Sequence, residues 1–423
     1  MKKIGWKTAT AIVVSNMIGT GVFTSLGYQV PELHNTFTLL LLWFAGGVLA
    51  LIGAFVYAEL GTHFKQSGGD YIYLSRTYHP LAGYLTSWVS LIVGFSAPVS
   101  LAALAMAKYL GIEQVKTFAI FVIIFIAVFQ CFSLKVSSHF QNIFAILKVV
   151  FIVVLIIIGF IIFPSQPNAL LWDSTWKNEL VMPAFASSLV FVTYAYTGWN
   201  SASYIVEELD KPKVNLPKAL IIGTSFVTIS YVLVNFVFLY HASISELSGK
   251  EDVANITFYN VLGADGVKWV NYFIALQLVA TISGYLWVGS RVTQATAREN
   301  RLWKYLEKEN KNRIPIRAVL IHTLISIIII LSGKFEEIFI YTAFVLQLLA
   351  TAAVSTSLFL KKKDRTLFKG NWFLLLPSIF LLFSFYILYF TFANHPRESF
   401  IGLGIVLVGG ILYFFDKNKM IKE

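Results

Sequence analysis

"VVSNMIGTGVF", Val13 to Phe23, puts Gly19-Thr20-Gly21 inside the first long apolar run of the chain. Gly19 lies roughly 18 Å of helix beyond Lys7 at 1.5 Å per residue, close to the midplane of a ~30 Å hydrocarbon layer. A break at that depth frees backbone N–H groups at the start of the outer half-helix and carbonyls at the end of the inner half. Freed groups are costly in hydrocarbon unless they face protein or a wet cavity. The N–H end, with its positive dipole, suits a carboxylate. The carbonyl end suits an ammonium, and glycine lets a ligand approach the backbone closely. The stretch therefore reads as a zwitterion site. Its alternative is helix packing, since small residues let membrane helices approach one another. Taken alone, the packing reading is the stronger.

The surrounding chain is membrane-like. Of its 423 residues 57% are hydrophobic and 13% charged, about half the charge density of a soluble domain. Apolar runs long enough to span a bilayer lie near 7–27, 37–61, 81–109, 117–135, 142–163, 180–206, 217–241, 266–297, 315–332, 335–360, 371–393 and 398–415. These predict an all-α membrane protein with 12 transmembrane helices. The first run follows a short charged terminus and has no A-x-A site after it, so it reads as a retained helix and not a signal peptide.

The net charge of +11 is a topology signal and not a nucleic-acid footprint. With the amino terminus inside, 25 of the 33 Lys and Arg fall on the cytoplasmic side and seven on the other. That asymmetry puts both termini in the cytoplasm. The basic loops "RENRLWKYLEKENKNRIP" (298–315) and "KKKDRTLFKGN" (361–371) read as topology anchors, the first with a short amphipathic helix. The single cysteine, Cys131, excludes a disulfide within the chain and a Cys-based metal site. The sequon Asn255-Ile256-Thr257 reads as a chance match.

A second break, "YAYTGWNSAS" (Tyr194–Ser203), interrupts the sixth span. With alternating helices the first span runs outward and the sixth inward. Paired breaks in oppositely oriented helices point to an inverted repeat around a central site, and the zwitterion reading of Gly19-Thr20-Gly21 then overtakes packing. Tyr194 and Trp199 flank the polar run Thr197, Asn200, Ser201 and Ser203, where an aromatic could cover a bound solute. Lys148, inside the fifth span, admits two readings: a buried ammonium with acceptors, or a snorkelling anchor near the inner end. Glu59, Glu207 and Glu208, near cytoplasmic helix ends, read as partners of nearby basic residues or loop backbone. His34, His63, His79 and His139 have no carboxylate or Cys partner at ligand spacing, and no nucleophile motif is present. No catalytic residue, metal or cofactor is expected.

Four stretches resemble one family. "SNMIGTGVF" is similar to the first-helix motif of the amino acid–polyamine–organocation transporter superfamily. "GTHFKQSGGDYIYLSRTYHPLAGYLTSW" (61–88) resembles its loop between helices 2 and 3, with Lys65 where the family usually has proline. "YAYTGWNSASYIVEELDKPKVNLPKAL" (194–220) resembles the L-type amino acid transporter branch and its bacterial relatives. "GSRVTQATAREN" (289–300) is similar to the family's eighth helix end. The resemblance covers nearly the whole chain. It implies a five-plus-five inverted repeat of the leucine-transporter kind with discontinuous helices 1 and 6: a first repeat over 1–163, a second over 180–360, and two outer helices over 371–415. It also implies alternating access.

By the same resemblance Gly19, Thr20 and Gly21 hold a substrate carboxylate, and the Met17 carbonyl holds the amino group. Tyr194 is an aromatic gate, and Tyr194, Ala195 and Thr197 supply helix-6 backbone acceptors, with Gly198 and Asn200 completing the substrate-binding set. Lys148 stands in for the sodium ion of sodium-coupled relatives, with Ser283 as its helix-8 contact. Two departures carry weight. Asn200 lies where acid-resistance antiporters carry a glutamate. Lys108–Thr117 lacks the cysteine by which heteromeric members join a glycoprotein, so no disulfide-linked partner subunit is expected.

The expected function is sodium-independent exchange of neutral L-amino acids across the cell (inner) membrane, with the lipid bilayer as surroundings. No carboxylate in the mid-membrane parts of helices 3, 6, 8 and 10 would pair a cationic side chain, and Thr281, Ser283, Gln347 and Thr351 suit small polar or apolar substrates. The alternatives are a proton-coupled symporter, and, from other classes, a channel or a non-transporting sensor. A channel would show a continuous polar stripe in several helices, and only local polar clusters are present.

Overall fold

A computed structural model of the protein describes residues 3–131, 134–162, 170, 172–312, 314–361, 365–367 and 372–420. The end of the fifth predicted span at residue 163 and Lys362, Lys363, Lys369 and Lys422 of the basic segments lie outside the described residues. Among those described, the regular structure is helical, with one bridge pairing Ile4 and Leu209.

Among the described residues eight helices are long and apolar enough to cross a membrane: Thr36–Phe64, Pro80–Tyr109, Ile143–Ile161, Pro212–His241, Val253–Arg298, Phe335–Phe359, Leu374–Asn394 and Pro396–Asp416. Shorter apolar helices cover Val115–Gln130, Pro183–Ala195 and Ile316–Ser332. The first predicted span is divided into Trp6–Met17, Gly21–Thr24 and Leu26–Gln29. Local chemistry explains the boundaries. Asn35 caps the Thr36–Phe64 helix by accepting from the Phe37 N–H at 2.9 Å, which satisfies one of the orphan donors of a helix start. Pro80, Pro183 and Pro212 open their helices where the missing N–H costs nothing.

The chain forms two compact units. The first holds residues 1–73, 145–273 and 347–394. Its helices pack closely because the Thr36–Phe64 helix presents glycines. A Cβ on Gly47 would lie 2.3 Å from the Thr228 side chain and 2.9 Å from the Tyr196 hydroxyl. Glu59, buried near the end of that helix, accepts from the N–H of Leu367 at 2.9 Å and from the Thr366 hydroxyl at 3.0 Å. Of the two readings for this glutamate, the loop-backbone one describes these contacts.

The second unit holds 74–144, 274–346 and 395–423. Here the sequence pattern misses a π-helix over Ser90–Ser96. Pro98 has no N–H to give to Gly94, and Ala97 donates to Ile92 instead, so the widened turn absorbs the proline within the span. The short helix expected in the 298–315 loop is a 3₁₀ helix over Arg301–Glu307. Trp303 anchors it, donating to the Tyr84 hydroxyl at 3.0 Å. Fully buried His322 bridges Ser96 and Thr293, each at 2.9 Å. Replacing it by leucine leaves the Thr293 hydroxyl without that partner, while the Ser96 hydroxyl keeps its bond to the Leu91 carbonyl. The expected cost is about 1–3 kcal/mol, read as a lowered thermal midpoint of the purified protein.

Candidate functional site

Both interruptions lie in the first unit, and they meet. The Trp6–Met17 helix stops because Ile18 turns extended at ψ 102°. Thr20 then returns to helical angles and starts Gly21–Thr24. The Pro183–Ala195 helix stops at Tyr196, and Gly198 follows at φ +102°, a backbone that L side chains rarely adopt. A Cβ on Gly198 would sit 2.8 Å from the carbonyl carbon and oxygen of Asn16. One on Gly21 would sit 2.5 Å from the Ala195 Cα. Two glycines thus seat each broken helix against the other's backbone. Gly19 is different: a Cβ there would meet nothing within 4 Å.

The polar groups freed at the breaks are arranged by sign. Among the described residues no acceptor takes the N–H groups of Gly19, Thr20 or Gly21. Across from Gly21, the carbonyls of Ala195 and Thr197 take no donor among the described residues, whereas that of Tyr194 accepts from the Thr197 N–H at 2.9 Å and hydroxyl at 2.7 Å. Free donors thus lie beside free acceptors, which is what a zwitterion requires. The Met17 carbonyl already accepts from the Tyr231 hydroxyl at 2.6 Å, which leaves it one lone pair for a further donor.

Lys148 is 6% exposed, and its ammonium donates to the Ser15 carbonyl at 3.3 Å. It is therefore tied to the inner half of the broken first span, two residues before Met17. Ser283 belongs to the second unit. There its hydroxyl accepts from the Gln130 amide at 2.9 Å. Asn200 donates to the Tyr204 hydroxyl at 3.3 Å. Tyr194 is buried, as is Trp199, whose ring stands edge-on to Tyr57 at 4.7 Å.

Sequence reasoning passed over an aromatic floor behind the breaks. Tyr196 and Tyr231 lie 5.0 Å apart, and Trp43 stands edge-on to Tyr231 at 5.7 Å. Trp43 donates to Gln29 at 3.0 Å, and Tyr196 to the Trp43 carbonyl at 3.1 Å. In sequence these are aromatics inside apolar runs, and only the Met17 contact marks Tyr231 as part of the site. Tyr231→Phe removes the hydroxyl from a buried carbonyl. The expected result is a loss of about 1 kcal/mol of stability and an altered apparent affinity for the amino group, measured by thermal unfolding and equilibrium binding.

Comparison with known proteins shows the family. The family model described as "Amino acid permease" matches residues 4–414. The b(0,+)-type amino acid transporter 1 of Mus musculus is 28% identical, over 98% of this chain and 87% of its own. The rabbit (Oryctolagus cuniculus) protein of the same name is 30% identical, over 81% of this chain and 72% of its own. The Large neutral amino acids transporter small subunit 2 of Mus musculus is 28% identical, over 98% and 80%. The family resemblance carried by the first-span, second-loop and sixth-span motifs is thereby confirmed, and the chain, a multi-pass membrane protein and not an enzyme, belongs to the amino acid permease family.

Proposed function

We propose that the protein is a sodium-independent secondary transporter that exchanges neutral L-amino acids by alternating access. One observation carries the reading: the unpartnered N–H groups of Gly19, Thr20 and Gly21 lie beside the unpartnered carbonyls of Ala195 and Thr197, with open space over Gly19. The donors take the α-carboxylate, and the acceptors, with the remaining lone pair of Met17, take the α-ammonium. Tyr194 covers the bound molecule. Gly198 and Asn200 shape the inner edge. Such a site reads the backbone of the amino acid and leaves its side chain to the rest of the pocket.

Lys148 supports sodium independence. Its ammonium donates to the Ser15 carbonyl on the first half-helix, where a sodium ion would otherwise sit. The frame is twelve helices in a five-plus-five inverted repeat, 1–163 and 180–360, with 371–415 outside it. Both termini are cytoplasmic, and the protein works in the inner membrane. The single cysteine, Cys131, lies at the end of the Val115–Gln130 helix and outside the Lys108–Thr117 loop, which supports function without a disulfide-linked subunit.

Reconstitution tests the reading. Purified protein in liposomes preloaded with a neutral amino acid is expected to take up labelled amino acid at equal pH and without sodium. Accumulation only under a proton gradient favours symport. Saturable binding without flux favours a sensor. Absence of both binding and flux removes the reading.

A further inference from the structure

Arg317 is a cation that the substrate site does not use. It lies one residue into the Ile316–Ser332 helix, on the side proposed to be cytoplasmic. Its guanidinium stacks on the Tyr305 ring, 3.7 Å from the ring centre, and its Nη1 donates to the Tyr305 carbonyl at 3.0 Å. Tyr305 belongs to the 3₁₀ helix Arg301–Glu307, which Trp303 fixes to Tyr84. Tyr305 itself is 67% exposed. The cation is thus held in place at the surface of the second unit.

The carboxylates around this loop are engaged elsewhere. Glu307 pairs with Lys304 at 3.1 Å. Glu309 accepts from the Gln294 amide at 2.6 Å and pairs with Arg298 at 3.5 Å. Asp416 accepts from the Leu302 N–H at 3.1 Å. Among the described residues no carboxylate pairs with Arg317. A similar stack, Arg291 over Trp287 at 4.0 Å, has the charge of Glu309 acting on it. Arg317 therefore keeps a planar fork of donors for an acceptor from outside the chain.

The helix says what lies outside. From Arg317 onward the exposed side chains Leu320, Leu324, Ile328 and Leu331 recur at three- and four-residue steps. At ~100° per residue they share with Arg317 one face about 80° wide. From Arg317 to Ile328 that face runs roughly 17 Å at 1.5 Å per residue, about the ~15 Å of one leaflet of hydrocarbon. An acyl chain matches the apolar face, and a phosphate matches the cation at its end. Exposed Tyr305 suits headgroup depth. Lys308 and Lys311, both exposed, add to the positive field, which favours a lipid with net negative charge.

We propose that Arg317, held by Tyr305, binds the phosphate of an anionic phospholipid of the inner leaflet, with an acyl chain along Leu320, Leu324 and Ile328. The proposal goes beyond the exchange reading and does not depend on it. Stacking fixes the guanidinium before the lipid arrives, and its paired N–H groups fit two phosphate oxygens.

The test uses the full chain in a neutral detergent, titrated with phosphatidylglycerol or with phosphatidylcholine. Bound lipid is counted by native mass spectrometry, and hydrogen–deuterium exchange of residues 301–307 is followed alongside. The wild type is expected to prefer phosphatidylglycerol, and 301–307 are expected to exchange more slowly with it bound. Arg317→Gln should bind it at least about fivefold more weakly. Tyr305→Ala removes the stack and no charge, and should weaken binding as well; it carries the test where Arg317→Gln folds poorly. Tyr305→Phe keeps ring and carbonyl and should bind as the wild type does. Lys308→Gln makes the same charge change beside the site and should cost less than Arg317→Gln. Equal losses in those two variants mean diffuse attraction and overturn the proposal. So do an Arg317→Gln or Tyr305→Ala protein with wild-type binding, or equal binding of the two lipids. Inorganic phosphate in large excess should not displace the lipid; displacement would make this a free-anion site and overturn the lipid assignment.

Discussion

Gly19→Val is expected to yield a protein that folds normally and fails to bind amino acid, whereas Gly21→Val and Gly198→Val are expected to lose both binding and folded yield. The three glycines look alike in a motif and differ in what surrounds them. A side chain on Gly19 projects into open space, where the carboxylate is proposed to sit. It displaces the ligand without moving the protein. Two charge-assisted hydrogen bonds are worth about 1.5–3 kcal/mol each, so the binding loss should reach at least about 100-fold. A side chain on Gly21 collides with the Ala195 Cα at 2.5 Å, and one on Gly198 with the Asn16 carbonyl at 2.8 Å. Backbone has to shift in both. Gly198 adds a positive φ of 102°, which costs a residue with a Cβ about 1–3 kcal/mol more. Size-exclusion profiles, thermal midpoints and equilibrium binding of a labelled amino acid separate the two classes. Retained saturable binding in a folded Gly19→Val protein would remove the carboxylate site.

Lys148→Ala is expected to reduce exchange by more than about tenfold, within the span of measured coupling energies, while thermal stability stays level or rises. The stability arm follows from burial. An ammonium 6% exposed that donates to a carbonyl at 3.3 Å is held at a desolvation cost, and alanine removes that cost. The transport arm follows from position, because Ser15 lies in the last turn of the half-helix that ends at Met17. A side chain that only snorkels toward the membrane surface would leave flux and its pH dependence unchanged. Counterflow in proteoliposomes, with and without sodium, decides between these outcomes.

The interruptions were legible in the sequence because composition announces them. Gly-Thr-Gly inside an apolar run, and Tyr-Thr-Gly-Trp-Asn inside another, violate the regularity a bilayer imposes on backbone hydrogen bonding. The π-helix at Ser90–Ser96 was not legible, although Pro98 marks its place, since a proline in a span can be absorbed by a kink as well as by a widened turn. Tyr231 and Arg317 were hidden for another reason. Each is hydrogen-bonded to a partner distant in sequence, Met17 for one and Tyr305 for the other, and a residue type common in its own segment gives no sign of that.

Composition, hydrophobic run length and the uneven placement of Lys and Arg were enough to establish a helical chain threaded many times through a membrane, because the bilayer penalises every alternative heavily and residue by residue. At Gly19-Thr20-Gly21 the paired breaks already favoured a binding site over packing, but telling the glycines apart needed the tertiary structure. Only there does Gly21 close on Ala195, Gly198 close on Asn16, and Gly19 face open space. Those distances arise from how two broken helices cross, a relation that no local pattern encodes, and they decide which glycines are consumed by packing and which faces open space.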